Sequence, residues 1–244
     1  MTFPFWIPVG PWRVHPHLFF ESLAYLVGFA VYLARRRQLG DHVPDSTRWS
    51  IVTAAAIGAV VGSRLLSWAD ALSGAIPQLS QLPQFLASKT AVGGVLGGWI
   101  AVEIEKRRLG IAERTGDLFA LSLAVGFAIG RIGCFLSGLP DGTYGTATSL
   151  PWGVDLGDGV RRHPAALYES LFMIAIAVLL LRARPVVRRG ALFQIFVFAY
   201  LSFRFAIDAI KPGASLALHL TAIQWACLAG LAYQARALAQ TRFA

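Results

Sequence analysis

The sequence predicts an all-α, polytopic membrane protein with about seven transmembrane helices, and three observations carry that prediction. Of the 244 residues, 56% are hydrophobic and 14% charged, against about 25% charged in ordinary soluble domains. A core of this length cannot shelter so much apolar surface, so lipid must solvate part of it. Apolar stretches approaching the roughly 20 residues needed to cross a bilayer recur along the chain. Basic residues gather in short runs between those stretches, which is a topology signal.

Seven segments meet the pattern, at roughly 17–35, 51–68, 91–105, 117–136, 165–182, 191–210 and 217–235. The third is short and rich in glycine. Seven such runs in succession, with little amphipathic text between them, exclude a soluble bundle. A β-barrel would alternate in polarity over strands of about ten residues, and these runs do not. Residues 69–90, with Pro77, Pro83 and scattered Leu and Phe, read as an interfacial helix or arm. Residues 137–164 are rich in Gly, Pro, Asp and Thr, with Trp152 near the expected membrane surface. No internal repeat is visible, and residues 1–244 read as one domain. The stretch from Met1 to Val14 lacks the basic start of a cleavable signal peptide.

The loops set the orientation. Arg35, Arg36, Arg37 and Arg48 follow the first segment, and Lys106, Arg107, Arg108 and Arg114 the third. Arg182, Arg184, Arg188 and Arg189 follow the fifth, and Arg236 and Arg242 close the chain, making 14 basic residues on one side. The other side has five, namely Arg13, Lys89, Arg161, Arg162 and Lys211. Positive charge stays cytoplasmic, so the N-terminus is expected outside and the C-terminus inside. The net charge of +9 is thereby explained without nucleic acid, which would need cations clustered on one solvated face. Cys134 and Cys227 have no metal-ligand spacing and no disulfide framework. Neither a metal nor a cofactor is expected.

Arg64, Arg131 and Arg204 fall inside apolar segments. A charge at the bilayer centre costs at least about 2.5 kcal/mol, so such residues face polar cavities and mark function. Arg131 and Cys134 are three apart and share a helix face. Tyr200, Arg204 and Asp208 step by four along the sixth segment, while Glu21 and Glu169 lie in the first and fifth. Arg204 pairing with Asp208 and Arg64 snorkelling to a helix end are the structural alternatives. Three arginines with few acids to neutralise them point instead to a shared anion, and arginine's planar fork suits phosphate. Gly93, Gly94, Gly97 and Gly98, with Gly126, Gly130 and Gly133, permit close backbone approach, either for helix packing or for a head group.

In their order, these residues resemble the prolipoprotein diacylglyceryl transferase family, over nearly the whole chain. The resemblance rests on LVGFAVYLARRR, GSRL around Arg64, GGVLGG, GRIGCF around Arg131, LPWGV, RHPAALYE from Arg162 to Glu169, YLSFRF around Arg204, and a last helix with Gln224. It implies an inner-membrane enzyme that moves a diacylglyceryl group from phosphatidylglycerol to the lipobox cysteine thiol in a prolipoprotein's signal-peptide region, releasing glycerol phosphate. The matching motifs imply catalytic roles for Arg131, Arg204, Tyr200 and His163, with Glu21 a further catalytic candidate. They imply lipid binding by Arg64, Gly93, Gly94, Arg131, Tyr168, Glu169 and Arg204, with Cys134 beside them at a position of the same motif.

The chain departs from the family at three positions. Val92 stands where the family has histidine, Cys134 where it has asparagine, and Glu21 where it has tyrosine. The stretch PDGTYG is also longer, so either Gly142 or Gly145 corresponds to the family's glycine. The departures fall on the proton-handling residues and leave the phosphate-binding ones. The base is then open between Glu21, His163 and a water-linked pair, and Cys134 is either a buried space-filler or an internal nucleophile. A relative that binds phosphatidylglycerol without transferring it is the alternative function. A small-anion transporter ranks below both, since no inverted repeat is visible.

Overall fold

Each of the seven apolar segments is mostly helical, and several of the helices run past the apolar text at their charged ends. The computed structural model describes residues 2–41, 43–72, 79–183, 190–213 and 215–240. Among them are eight α-helices: α1 Pro16–Leu39, α2 Asp45–Leu72, α3 Leu82–Ala87, α4 Ala91–Arg108, α5 Asp117–Ser137, α6 Ala165–Ala183, α7 Ala191–Asp208 and α8 Ala222–Gln240. Five of these (α1, α2, α5, α6 and α7) are long and apolar enough to cross a membrane. The chain is therefore a mostly helical, polytopic membrane protein. Arg184, Arg188, Arg189, Arg242 and Pro77 lie outside the described residues.

Several basic residues expected in loops are instead helical, in the last turns of α1 and α4, where cations complement the exposed carbonyls. Arg48 lies inside α2, where it is buried and pairs with Asp41. The all-α expectation needs one correction, because two short antiparallel hairpins occur: β1 Ile7–Val9 with β2 Trp12–Val14, and β3 Val154–Asp155 with β4 Arg161–Arg162. Both lie outside the apolar runs, where water competes for backbone bonds and only tight turns close locally. In the second, Asp155 Oδ1 accepts from the backbone nitrogens of Gly157, Asp158 and Gly159 at 2.8, 3.1 and 3.0 Å. The expected arm contains a 3-10 turn at Leu79–Gln81 and then α3.

The helices form two units. The first comprises residues 1–40, 115–196 and 209–212, with α5 packed between α1 and α6. Gly133 makes the α1–α5 approach close, since a Cβ there would stand 2.6 Å from Phe20 Cβ and 3.1 Å from the Pro16 carbonyl. The first turn of α1 is thereby brought against the last two turns of α5. Ser170 Oγ on α6 donates to the Ala128 carbonyl at 2.8 Å, and Asp117 caps the start of α7 by accepting from Gly190 and Phe193 nitrogens.

The second unit comprises residues 41–114, 197–208 and 213–244. Its main seam is α2 on α4, built from glycine. A Cβ at Gly97 would lie 2.8 Å from Gly62 Cα, and one at Gly93 would strike the Gly62 carbonyl. Thr90 Oγ1 caps α4 by accepting from Gly93 nitrogen at 3.1 Å. Helix α8 begins at Ala222, five residues later than its apolar text, because Thr221 and Gln224 form a reciprocal cap of 3.0 Å each way.

Candidate active site

Arg131 sits one turn and a half from the end of α5, and its position follows from that helix's packing. Its Nε lies 2.8 Å from Glu169 Oε2 on α6, and Lys211 Nζ lies 2.5 Å from the other oxygen, Oε1. Two cations thus converge on one carboxylate that is only 2% exposed. Lys211 is held there because its neighbour Ile210 accepts from Thr146 nitrogen at 2.7 Å. An ion taken out of water costs several kcal/mol unless it is paired, so this cluster accounts for both a costly arginine and a costly glutamate. Arg131 Nη1 also reaches Cys134 Sγ, at 3.9 Å on the same helix face.

On the other side of Cys134 stands His17, from the first turn of α1. Its Nδ1 is 2.6 Å from Asp141 Oδ1 and 3.9 Å from Cys134 Sγ, and its Nε2 is 3.4 Å from Glu21 Oε2. Asp141 lies in the 3-10 turn Leu139–Asp141 that follows α5, and its Oδ2 accepts the Thr143 hydroxyl at 2.6 Å. Burial alone would raise the Asp141 carboxyl above its ordinary 3.8, but the bonds from His17 and Thr143 outweigh burial and hold it below that value. A third group joins His163 Nδ1 to Tyr168 Oη at 3.3 Å, and Trp152 Nε1 to the same oxygen at 2.7 Å.

The second unit holds the remaining expected residues. Arg204 Nη2 contacts Asp208 Oδ1 at 3.1 Å, four residues on, and Asp208 Oδ2 accepts the Thr221 hydroxyl at 2.5 Å. The structural alternative for Arg204 is thus realised as an ion pair, both members nearly buried. Tyr200 is 2% exposed one turn earlier. Arg64 donates to the Leu86 carbonyl at the end of α3. Gly93 is consumed in the α2–α4 seam, whereas a Cβ at Gly94 would meet only ordinary contacts at 3.7 and 3.8 Å. Val92 is fully buried.

Sequence reasoning brought Arg131, Cys134, Glu169 and Glu21 forward, and the first unit gathers all four around α5. It missed His17, Asp141 and Lys211. His17 and Glu21 are spaced four apart on one helix face, which was the available signal. Asp141 and Lys211 had none, since each lies in a loop and is brought in by tertiary packing.

An apolar helical chain with five membrane-length helices and buried charges around α5 defines a class, the polytopic membrane proteins. Within that class the chain belongs to the prolipoprotein diacylglyceryl transferase family, whose profile matches residues 4–239. It is similar to the phosphatidylglycerol–prolipoprotein diacylglyceryl transferase of Geobacter sulfurreducens, with 31% identity covering 89% of this chain and 87% of that one. The protein of the same name from Methylococcus capsulatus is 32% identical, covering 86% and 84%. That from the Wolbachia of Brugia malayi is 30% identical, covering 83% and 80%. The chain is accordingly a transferase-like enzyme of this family.

Proposed function

We propose that the protein transfers a diacylglyceryl group from phosphatidylglycerol to the lipobox cysteine thiol of a prolipoprotein and releases glycerol phosphate, in a bacterial inner membrane. The observation that carries this reading is the convergence of Arg131 and Lys211 on buried Glu169, with Arg131 also touching Cys134. A lipid phosphate approaching that cluster meets a guanidinium whose orientation is already fixed.

The reaction breaks the bond between a glycerol carbon and a phosphate oxygen, and negative charge grows on the departing phosphate. Donors fixed in advance stabilise such charge most where water is excluded, which is the role of Arg131 in the first unit. In the same unit, Tyr168 and Glu169 frame the lipid head group. The acceptor thiol must lose its proton, and a free thiol titrates near about 8.5. Val92 has no basic atom, and His163 is engaged with Tyr168. Activation of the acceptor thiol falls to the group of His17, Cys134 and Asp141, with Glu21 on the other ring nitrogen of His17. The seven helical segments all cross the membrane in this reading, with the N-terminus outside.

The test incubates purified protein with phosphatidylglycerol micelles and a synthetic lipobox peptide. Glycerol phosphate release matched by a diacylglyceryl mass gain on the peptide is expected, and lipid turnover without peptide modification would refute the acceptor. A second reading, a phosphatidylglycerol binder without transfer, is favoured by Val92 alone. It predicts lipid retention on the purified protein with no glycerol phosphate.

A further inference from the structure

We propose that His17, Cys134 and Asp141 form a zinc site whose open fourth position binds the acceptor thiol as thiolate, replacing the base that Val92 cannot supply. The inference rests on the transfer reading above for its purpose, but the metal site stands on its own geometry.

Three ligand atoms, His17 Nδ1, Cys134 Sγ and Asp141 Oδ1, lie within 4.8 Å of one another, and among the described residues this is the one such group. Zinc bond lengths of about 2.0–2.3 Å put tetrahedral ligand atoms roughly 3.3–3.7 Å apart. The observed separations of 2.6 Å from nitrogen to oxygen and 3.9 Å from nitrogen to sulfur bracket that range. The sulfur and the Asp141 oxygen lie within 4.8 Å of each other, so seating the ion draws the three side chains together.

The use of the imidazole separates a metal site from a catalytic relay. A relay divides the two ring nitrogens, one toward the acid and one toward the nucleophile. Here Nδ1 faces both Asp141 and Cys134, while Nε2 faces Glu21 at 3.4 Å. Convergence on one nitrogen, with a carboxylate orienting the other, is how metal-bound histidines are arranged. The Asp141 oxygen turned away from the site is likewise occupied, by the Thr143 hydroxyl. Mixed nitrogen, sulfur and oxygen ligands suit zinc, and three protein ligands leave a position open, as in catalytic zinc sites.

The chemistry balances. The acceptor thiol binds the ion and its proton passes to water, because a coordinating thiol is deprotonated outright. The thiolate sulfur then attacks the glycerol carbon. A carbon–sulfur bond forms, the carbon–oxygen bond breaks, and its electron pair leaves with glycerol phosphate beside Arg131.

The experiment uses the full chain, purified in detergent and stripped with chelator, and titrates it with Co²⁺ alone. One equivalent should give the ligand-field bands of tetrahedral Co²⁺ and a thiolate-to-metal charge-transfer band. Cys134→Ser should abolish the charge-transfer band and Cys227→Ser should keep it. Glu21→Gln should weaken Co²⁺ binding about 10- to 100-fold, the usual effect of losing an orienting carboxylate. Adding a lipobox peptide should strengthen the charge-transfer band, and a peptide with serine in place of its cysteine should not.

Absence of the one-equivalent spectrum, or its persistence in Cys134→Ser, overturns the site. Should that variant misfold, Asp141→Asn retains the thiol and must alter the ligand-field bands, and unaltered bands also overturn it. A spectrum indifferent to the thiol peptide overturns the activating role. Full glycerol phosphate release from metal-free protein refutes the inference and leaves the transfer reading intact. An intact, thiol-responsive Co²⁺ spectrum with no glycerol phosphate under any metal condition refutes the transfer reading and leaves the site.

Discussion

Arg131 is bound in place by Glu169, and each gives a separable prediction. Arg131→Ala should lower glycerol phosphate release about 10²- to 10³-fold, the scale on which one transition-state donor is felt. Arg131→Lys should recover little of it, since an ammonium lacks the planar fork. Turnover kinetics in phosphatidylglycerol micelles measures both. Glu169→Gln acts on stability first, because it leaves Arg131 and Lys211 adjacent around a neutral group. Removing one member of a buried charge set costs about 3–5 kcal/mol, which thermal unfolding in detergent should register as a clear loss. Arg131 and Glu169 were legible as charges in apolar text, where either is too costly to be incidental. His17 was not, because a histidine at the first turn of a span reads as an interfacial residue. Its partner Cys134 is 117 residues away, and no local pattern encodes a contact of that range.

The glycine seam between α2 and α4 gives the clearest prediction among the elements. Gly97→Val should destabilise the second unit by about 1–3 kcal/mol, the usual cost of overpacking. Gly94→Ala should be close to neutral, since its Cβ meets only ordinary contacts. The two melting temperatures in one detergent decide the matter. GGVLGG announced close approach, but its partner could not be read, because a helix and a lipid head group both demand a missing side chain. Only Gly62 and Gly58 on α2 resolve the ambiguity; Gly62 opens GSRL, but nothing in that motif says which helix it meets. The β3–β4 hairpin adds a pH dependence. Arg162, bonded to Asp158 at 2.6 Å, holds that carboxyl below its ordinary 3.8. A carboxyl lowered by folding adds stability that is complete above 3.8 and is lost as pH falls through the lower folded-state value. Pepsin cleavage within residues 154–162 should therefore rise as pH falls below 3.8, and in Asp158→Asn it should lack that rise.

At the scale of the whole molecule, the 14-to-5 division of basic residues flanking the apolar segments predicts that the hairpin loop lies outside the cytoplasm. A Thr146→Cys variant should react with an impermeant thiol reagent applied from outside, and reaction only from the cytoplasmic face would invert the topology. The helices also differ in how much protein surrounds them. In α1 and α2 little of the apolar surface is covered, while in α5, α6 and α7 close to half is. That difference, with the Arg131–Glu169 pair, has a consequence for biogenesis. Helix α5 leaves the ribosome carrying Arg131, and the glutamate that neutralises it arrives only with α6. Until then the insertion machinery handles a span bearing an uncompensated charge, worth at least about 2.5 kcal/mol against partitioning. Nascent chains arrested before Glu169 emerges should therefore hold α5 in the translocon, and release into lipid should come when the two helices can leave together as a neutral hairpin.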